Sequence, residues 1–327
     1  MGKGIFIGLD LGGTELKVAL GAGDDELLWQ ARRPSHGSRG GDAILEAIAG
    51  GVEEARAQAL ASGLEARGVG LGTAGVVDPE TGRVRYEVAN LKDWRGIDLK
   101  GFFEERFQLP AVIENDANAA AYGEAMLGAG RGRSLVFMVT AGTGIGAGCV
   151  IEGRLLRGAA GAAMEFGHTR YAPGGRACRC GKVGCLEAYA GGWGMARTWE
   201  ERLAAEGEKE WRGVPLAELG PSQLIEAAGS GEEGATAALE AGATALGEGL
   251  GVALHLLNPD LLILGGGFLE GWPRYGERVE EVLEASLLKK AFDPLSIERA
   301  RFGNRAGVLG AIALAARRGE GSRDGKG

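Results

Sequence analysis

Short apolar runs that end in glycine-rich turns recur along the chain. The first run, residues 5–9, stops at Asp10-Leu11-Gly12-Gly13-Thr14, and an apolar return segment follows it. Residues 135–139 form a second run, which stops at Thr140-Ala141-Gly142-Thr143-Gly144 before a similar return segment. Two apolar segments that flank a glycine-rich turn are typical of a β-hairpin. The repeated pattern predicts two lobes of similar design, each of which presents one turn to a shared cleft.

Further strands and helices alternate between and after these hairpins. Residues 42–61 carry apolar side chains at helical spacing, which predicts an amphipathic helix. Apolar runs at 69–72, 111–114 and 261–264 predict buried strands, and the last of these breaks at Gly265-Gly266-Gly267. The alternation of strands and helices places the chain in the α/β class.

The predicted lobes divide the chain near residue 120. Residues 1–120 are expected to form the N-terminal lobe, and residues 121–305 a C-terminal lobe that carries the glycine turn at 265–267. An apolar helix at 306–316 is expected to pack back on the N-terminal lobe. Residues 317–327 are polar and glycine-rich, which predicts a disordered tail.

The composition excludes several classes of partner. The 327 residues are 45% apolar and 24% charged, which is the balance of a folded protein of two domains. The net charge of −8 disfavours broad contact with nucleic acid or with an anionic membrane. No stretch approaches the roughly 20 apolar residues that cross a bilayer, and Asp10 interrupts the N-terminal apolar run before it reaches signal-peptide length. We therefore expect a cytoplasmic protein.

The glycine-rich turns offer the hydrogen-bond donors and the carboxylate that binding of a nucleoside triphosphate needs. Glycine lets backbone N–H groups approach phosphate oxygens, the threonines add hydroxyl donors, and Asp10 can organise magnesium through its water shell. A single turn of this kind would be an ordinary hairpin, but three of them favour ATP and Mg²⁺ as cofactors. None of the turns has the Walker sequence, so a P-loop is excluded. The residues predicted to bind the nucleotide are Asp10, Gly12, Gly13, Thr14, Lys17, Thr140, Gly142, Thr143, Gly144, Gly265, Gly266 and Gly267.

Asp116 follows a predicted strand, where a carboxylate can face a cleft. A carboxylate there can accept the proton of an attacking alcohol during phosphoryl transfer. Asp116 can equally be the N-cap of the alanine-rich helix that follows, because Asp and Asn are favoured at that position. Asn118 is another candidate for the cap, so both interpretations of Asp116 stay open.

One histidine and three cysteines have the spacing of a zinc site. His168 precedes a short loop that carries Cys178, Cys180 and Cys185, and these four side chains complete the closed ligand set of a structural zinc. Reduced thiols without a metal are the alternative. Glu165 and Glu187 flank the ligands, and carboxylates held in this way suit charge-assisted hydrogen bonds to sugar hydroxyls.

These motifs together resemble the ROK family (repressors, open reading frames and sugar kinases), and among its members the bacterial glucokinase branch. The most specific part is Glu165-x-Gly-His168 followed by Cys-x-Cys-Gly-x-x-Gly-Cys-x-Glu, which ends at Glu187. The resemblance implies a two-lobed actin-like ATPase (ribonuclease H-like) fold, with ATP and a hexose meeting between the lobes. It implies Asp116 as the base that deprotonates the glucose 6-hydroxyl, and a homo-oligomer, either a dimer or a tetramer. The sugar-contacting positions that it implies are Gly75, Asn90, Asn115, Asp116, Glu165, His168 and Glu187, and its zinc ligands are His168, Cys178, Cys180 and Cys185.

Other functions remain alternatives. Mannose or an N-acetylhexosamine can replace glucose as the substrate within the same family. A sugar-responsive transcriptional regulator would need a DNA-binding helix-turn-helix before the sugar domain, and nine residues precede Asp10. A chaperone-like ATPase of the same superfold would share the phosphate turns, but it gives no reason for the zinc loop.

Overall fold

The computed structural model describes residues 4–86 and 90–321, in which strands and helices alternate. The strands are β1 Ile5–Leu11, β2 Glu15–Gly21, β3 Leu27–Pro34, β4 Ala66–Thr73, β5 Val76–Val77, β6 Val84–Tyr86, β7 Ala111–Asn115, β8 Leu135–Ala141, β9 Ile145–Ile151, β10 Arg154–Leu155, β11 Glu210–Trp211, β12 Val214–Pro215, β13 Leu261–Gly265 and β14 Ser296–Arg299. The helices are α1 Gly41–Ala61, α2 Leu99–Phe107, α3 Asp116–Leu127, α4 Glu187–Ala190, α5 Gly192–Ala205, α6 Pro221–Gly229, α7 Glu233–Leu257, α8 Gly267–Gly271, α9 Pro273–Ser286 and α10 Ala306–Gly321.

Two five-stranded sheets have corresponding strand orders. The first is β3-β2-β1-β4-β7, in which β1 is antiparallel to β2 and parallel to β4. The second is β10-β9-β8-β13-β14. In each sheet a central strand has its hairpin partner on one side and two later strands on the other. The repetition predicted from the two glycine turns is therefore present in the strand order.

Helix α1 covers one face of the first sheet. Its residues Ile44, Ile48 and Val52 are buried in the same core as Leu16 and Val18 of β2. The apolar spacing that predicted this helix is thus the spacing that brings one stripe of side chains onto the sheet. Burial of this stripe explains why residues 42–61 fold as a helix despite two glycines within it.

Helix α10 covers the opposite face, and it lies unusually close to its neighbours. A Cβ at Gly8 of β1 would lie 2.5 Å from Ile312 Cγ1, and one at Gly70 of β4 would overlap the backbone of Ala311. A Cβ at Gly310 would overlap the carbonyl oxygen of Ala119 in α3. Glycine is therefore required at Gly8 and Gly70 because α10 occupies the space of a side chain there, and at Gly310 because the backbone of α3 occupies that space.

The chain divides into two compact units. The first contains the described residues up to Phe137, then Gly148–Met164 and the chain from Ala300 onward. The second contains Met138–Ala147 and Glu165–Arg299. The first unit thus extends past residue 120, where the sequence placed the boundary, because α3 packs against α10 and the sheet.

The end of α10 differs from the sequence prediction. The helix continues through residues 317–321, which were expected to belong to a disordered tail. Arg317 donates to the hydroxyl of Tyr122 at 3.1 Å, and Arg318 donates to the carbonyl of Ala111, so tertiary contacts hold the polar extension in place. The rest of that predicted tail, residues 322–327, lies outside the described residues. Across residues 4–86 and 90–321, none of the helices combines the length and the apolar character of a membrane span.

The close packing of α10 predicts that Gly310→Ala destabilises the protein. The added methyl group forces α3 and α10 apart, and overpacking of this kind lowers the free energy of unfolding by about 3 kcal/mol. Gly229→Ala in α6 is the matched control, because no atom lies within 4 Å of a Cβ there. Urea denaturation of both variants checks the prediction, and equal midpoints would contradict the packing described for α10.

Candidate functional site

The corner between β7 and α3 holds Asn115 and Asp116 in a fixed arrangement. The Asn115 side chain accepts the Asn118 N–H at 3.1 Å and donates to the Gly75 carbonyl at 3.1 Å. Asn115 is therefore the N-cap of α3, so the interpretation of Asp116 or Asn118 as the cap is wrong. Asp116 is the first helical residue, and its carboxylate accepts the Ala117 N–H at 2.8 Å.

A buried carboxylate behind this corner was missed by the sequence analysis. Glu114 is 5% exposed, and it accepts hydrogen bonds from the Asn115 N–H at 3.0 Å and from the Asn118 amide at 3.0 Å. Arg157 Nε donates to its other oxygen at 2.6 Å. A charged residue at the end of an apolar strand was a usable signal for Glu114. The sequence gives no comparable indication for Arg157, because its partner Glu114 lies 43 residues earlier in the chain.

The first glycine turn brings Asp10 and Lys17 together. They are direct cross-strand partners on β1 and β2, and Lys17 Nζ lies 2.9 Å from Asp10 Oδ2. The Gly12 N–H donates to the Glu15 carbonyl at 2.9 Å, so this N–H closes the turn. A Cβ at Gly307, in the first turn of α10, would lie 2.9 Å from the Asp10 carboxyl carbon. The helix therefore begins directly beside Asp10.

The structure places Asn90 beside the same turn. A Cβ at Gly13 would lie 2.7 Å from the Cβ of Asn90, so the missing side chain of this glycine makes room for the loop that carries Asn90. A Cβ at Gly37 would lie 2.5 Å from the carbonyl oxygen of Asn90. Gly13 is thus needed for packing within the first unit, whatever ligand the turn binds.

In the second unit, the turn at Thr140–Gly144 rests on Glu187. The Gly142 N–H donates to the Gly144 carbonyl at 3.0 Å and closes the turn. Glu187 accepts the Ile145 N–H at 3.0 Å and the indole N–H of Trp193 at 3.2 Å. Any side chain at Gly144 would overlap the Glu187 carboxylate. The turn and this carboxylate therefore form one rigid group.

The third glycine turn lies against the second. Strand β13 neighbours β8, and Gly266 follows β13 with φ of 102°, a conformation that favours glycine. A Cβ at Gly266 would overlap the backbone of Ala141. The sequence predicted that Gly265–Gly267 and Thr140–Gly144 bind one nucleotide, and the fold brings the two turns together.

The histidine and the three cysteines converge as the spacing predicted. The ligand atoms of His168, Cys178, Cys180 and Cys185 all lie within 4.8 Å of one another. Cys180 Sγ is 3.7 Å from Cys185 Sγ, and Cys178 Sγ is 3.8 Å from His168 Nδ1. Tetrahedral zinc with Zn–S bonds of about 2.3 Å separates two sulfur ligands by about 3.8 Å. These side chains therefore fit a zinc ion.

His168 links this group to Glu165. Its Nδ1 faces Cys178, while its Nε2 lies 4.0 Å from Glu165 Oε2. Burial raises the pKa of the Glu165 carboxyl group, His168 opposes that rise, and the nearby Glu187 adds to it. Burial also raises the pKa of the Cys178 thiol to about 12, and a metal binds the thiolate form, so metal binding there releases a proton.

Each predicted residue can be assigned to one unit. The first unit holds Asp10, Gly12, Gly13, Thr14, Lys17, Gly75, Asn90, Asn115 and Asp116. The second holds Thr140, Gly142, Thr143, Gly144, Glu165, His168, Cys178, Cys180, Cys185, Glu187, Gly265, Gly266 and Gly267. The metal-ligating group, the turn at Thr140–Gly144 and two predicted sugar-binding carboxylates thus share one unit, while the turn at Gly12–Thr14 and Asp116 lie in the other.

Known proteins match this chain over most of its length. Residues 6–318 match the sequence model of the ROK family. A glucokinase from Streptomyces coelicolor is 37% identical over 320 residues, which cover 95% of this chain and 98% of that protein. A xylose repressor from Caldicellulosiruptor bescii is 30% identical over 316 residues, which cover 95% of this chain and 78% of that protein.

Solved structures give the same result. A ROK hexokinase from Thermus thermophilus has a TM-score of 0.82 at 33% identity, with 97% of this chain and 99% of that chain covered. A ROK family glucokinase from Streptomyces griseus, in complex with glucose and AMPPNP, has a TM-score of 0.81 at 32% identity. That alignment covers 96% of this chain and 100% of the other.

The geometry of the cysteine group predicts the effect of Cys180→Ser on metal content. Loss of one thiolate from a closed four-ligand set is expected to reduce bound zinc well below one ion per chain and to lower the melting temperature. Cys149→Ser is the control, because Cys149 is buried and lies outside the group. Elemental analysis of the purified proteins measures zinc directly, and equal zinc in both variants would exclude Cys180 as a ligand.

Proposed function

Because this chain belongs to the ROK family and has the actin-like ATPase fold of its sugar kinases, we propose that it is an ATP-dependent glucokinase that phosphorylates the glucose 6-hydroxyl. The observation that carries the proposal is the corner at Asn115–Asp116, where a carboxylate is held at the start of α3 by a capped helix. The named glucokinases support glucose as the substrate, since the likeness extends over nearly the whole chain.

In the proposed reaction Asp116 is the general base. The oxygen of the sugar 6-hydroxyl attacks the γ-phosphorus of ATP, the bond to the bridging oxygen breaks, and ADP leaves. Asp116 accepts the hydroxyl proton as the new bond forms. Its backbone is fixed by Asn115, which binds the Gly75 carbonyl on one side and the first turn of α3 on the other. This rigidity suits a base that must lie in line with the transferred group.

The sugar is proposed to bind through side chains whose positions the fold restricts. Glu187 is fixed by Ile145 and Trp193, and His168 is fixed by the cysteine group. Polar groups held in this way discriminate strongly between hydroxyl patterns. The proposed sugar-binding residues are Gly75, Asn90, Asn115, Asp116, Glu165, His168 and Glu187. When bound, zinc would be held by His168, Cys178, Cys180 and Cys185, and it would fix the imidazole without entering the chemistry.

The nucleotide is proposed to bind through the three glycine turns. The turns at Gly12–Thr14 and Thr140–Gly144 would receive the phosphates, and Gly265–Gly267 the adenosine. Asp10, paired with Lys17, would orient water molecules around magnesium, which supplies charge neutralisation when bound. The proposed nucleotide-binding residues are Asp10, Gly12, Gly13, Thr14, Lys17, Thr140, Gly142, Thr143, Gly144, Gly265, Gly266 and Gly267.

Regulation of transcription is the second candidate, since a xylose repressor is among the relatives. Within the kinase class, mannose and the N-acetylhexosamines are the competing substrates. We also propose a homo-oligomer, either a dimer or a tetramer, which light scattering measures.

A panel of sugars tests the proposed activity. ATP-dependent phosphorylation is measured with glucose, mannose, fructose, N-acetylglucosamine and N-acetylmannosamine, with and without magnesium. We expect glucose to give the highest kcat/KM and activity to require magnesium. Preference for an N-acetylated sugar would keep the reaction but contradict the substrate. Sugar binding without turnover on any member of the panel would favour the regulator.

Asp116→Asn tests the proposed base. The change removes the proton acceptor but keeps the size of the side chain, so kcat is expected to fall by at least about 10²-fold. Glucose affinity, measured by calorimetry, is expected to stay close to that of the unaltered protein, which also shows that the variant is folded. A kcat within a few fold of the starting value would show that another group accepts the proton.

A further inference from the structure

Glu114 occupies a position where a carboxylate is costly. It is the fourth residue of strand β7 and is 5% exposed, and a buried charge destabilises a protein unless donors surround it. Three donors meet it here: the Asn115 N–H, the Asn118 amide and Arg157 Nε. An apolar residue would fill a strand position of this kind at lower cost. The network therefore calls for an explanation other than stability.

The network holds both neighbours of Asp116. One oxygen of Glu114 accepts from Asn115, directly before Asp116, and from Asn118, two residues after it. Asn115 and Asn118 are also bonded to each other, since the Asn115 side chain accepts the Asn118 N–H. The backbone of Asp116 is thus enclosed by three hydrogen bonds, of which Glu114 accepts two and the Asn115 side chain accepts the third.

Packing beneath the corner removes the remaining freedom of Asp116. Gly72 pairs with Glu114 across β4 and β7, and a Cβ at Gly72 would lie 3.5 Å from the Asp116 Cα. Asp116 therefore has the sheet below it and hydrogen-bonded residues on both sides along the chain. A shift of its backbone would break at least one of the contacts of Glu114.

Arg157 completes the arrangement from a distant segment. It follows β10 in the same compact unit, and Nε donates to the Glu114 oxygen that the two asparagines do not use. The guanidinium offsets the charge of the buried carboxylate and restricts its rotation. Glutamine at position 114 has nearly the same shape, but it replaces one acceptor oxygen with an N–H₂ group that would face a donor. The negative charge of Glu114 is therefore needed to accept all three hydrogen bonds.

We propose that Glu114 and Arg157 are a positioning pair for Asp116, which keeps its carboxylate in line with the attacking sugar hydroxyl. This inference rests on the proposed function, because it assumes that Asp116 is the base. The pair touches no reacting atom in this scheme. It acts through Asn115 and Asn118, and its loss is expected to lower kcat while the KM for the sugar changes little.

Glu124, on the helix that begins at Asp116, supplies a matched control for Glu114. It is also a carboxylate with no exposure, it lies near the other end of α3, and it accepts the N–H groups of Ala129 at 3.1 Å and Phe302 at 2.6 Å. Glu124→Gln therefore removes a buried carboxylate charge from the helix that Asp116 begins, without changing the hydrogen bonds of the Asp116 corner. It reports the structural cost of losing a buried carboxylate.

The experiment compares kcat, sugar KM and melting temperature for Glu114→Gln, Arg157→Ala and Glu124→Gln. We expect Glu114→Gln to lower kcat by about 10²-fold, the scale of a small misplacement of a catalytic group, with KM within about twofold. Glu124→Gln is expected to lower the melting temperature and leave kcat unchanged. Added methylguanidinium is expected to restore part of the kcat of Arg157→Ala, which keeps the test open if Glu114→Gln fails to fold.

Several outcomes would overturn the inference. Glu114→Gln and Arg157→Ala with normal kcat in the folded protein would make the pair structural only, as would a kcat loss equal to that of Glu124→Gln. Failure of methylguanidinium to restore any activity to folded Arg157→Ala would exclude a role for its guanidinium. Absence of phosphorylation by the unaltered chain would instead contradict the proposed function, and the inference with it.

Discussion

The contact of helix α10 with the first sheet and with α3 is the constraint on which much of this structure depends. Helix α10 occupies the space of a side chain at Gly8 and Gly70, and α3 occupies that space at Gly310. Because close-packed interiors transmit small shifts, the position of α10 fixes the strand that carries Asp10 and the helix that begins at Asp116. The positions of two aspartates in the first unit, Asp10 and Asp116, thus depend on the packing of one helix.

Carboxylates that accept several N–H groups provide a second level of restraint around the site. Glu114 and Glu187 each accept several N–H groups, and each lies under a turn that carries predicted ligand-binding residues. A carboxylate with several fixed donors is more rigid than an apolar contact, because both distance and direction are restricted. In each unit a hydrogen-bonded carboxylate therefore restricts the geometry of the predicted ligand-binding segment beside it.

Local patterns predicted the parts of the fold that depend on neighbours in sequence. The two hairpins, the helix at 42–61 and the convergence of His168 with its cysteines follow from spacing alone. Features set by distant residues were not predictable in this way. Asn115 is the cap because α3 already begins at Asp116, earlier than a cap at Asp116 or Asn118 would allow. The polar end of α10 stays helical because Arg317 donates to Tyr122. The pairing of Glu114 with Arg157 likewise needs the tertiary fold.

The place of α10 in the chain has a consequence for synthesis on the ribosome. Residues 5–11 form the central strand of the first sheet, yet the helix that covers one of its faces comprises residues 306–321. During translation that apolar face stays open until the last part of the described chain emerges, and contacts of such long sequence separation form slowly. We therefore expect chaperones to bind the nascent first unit. The second unit ends at Arg299 and can complete its core earlier.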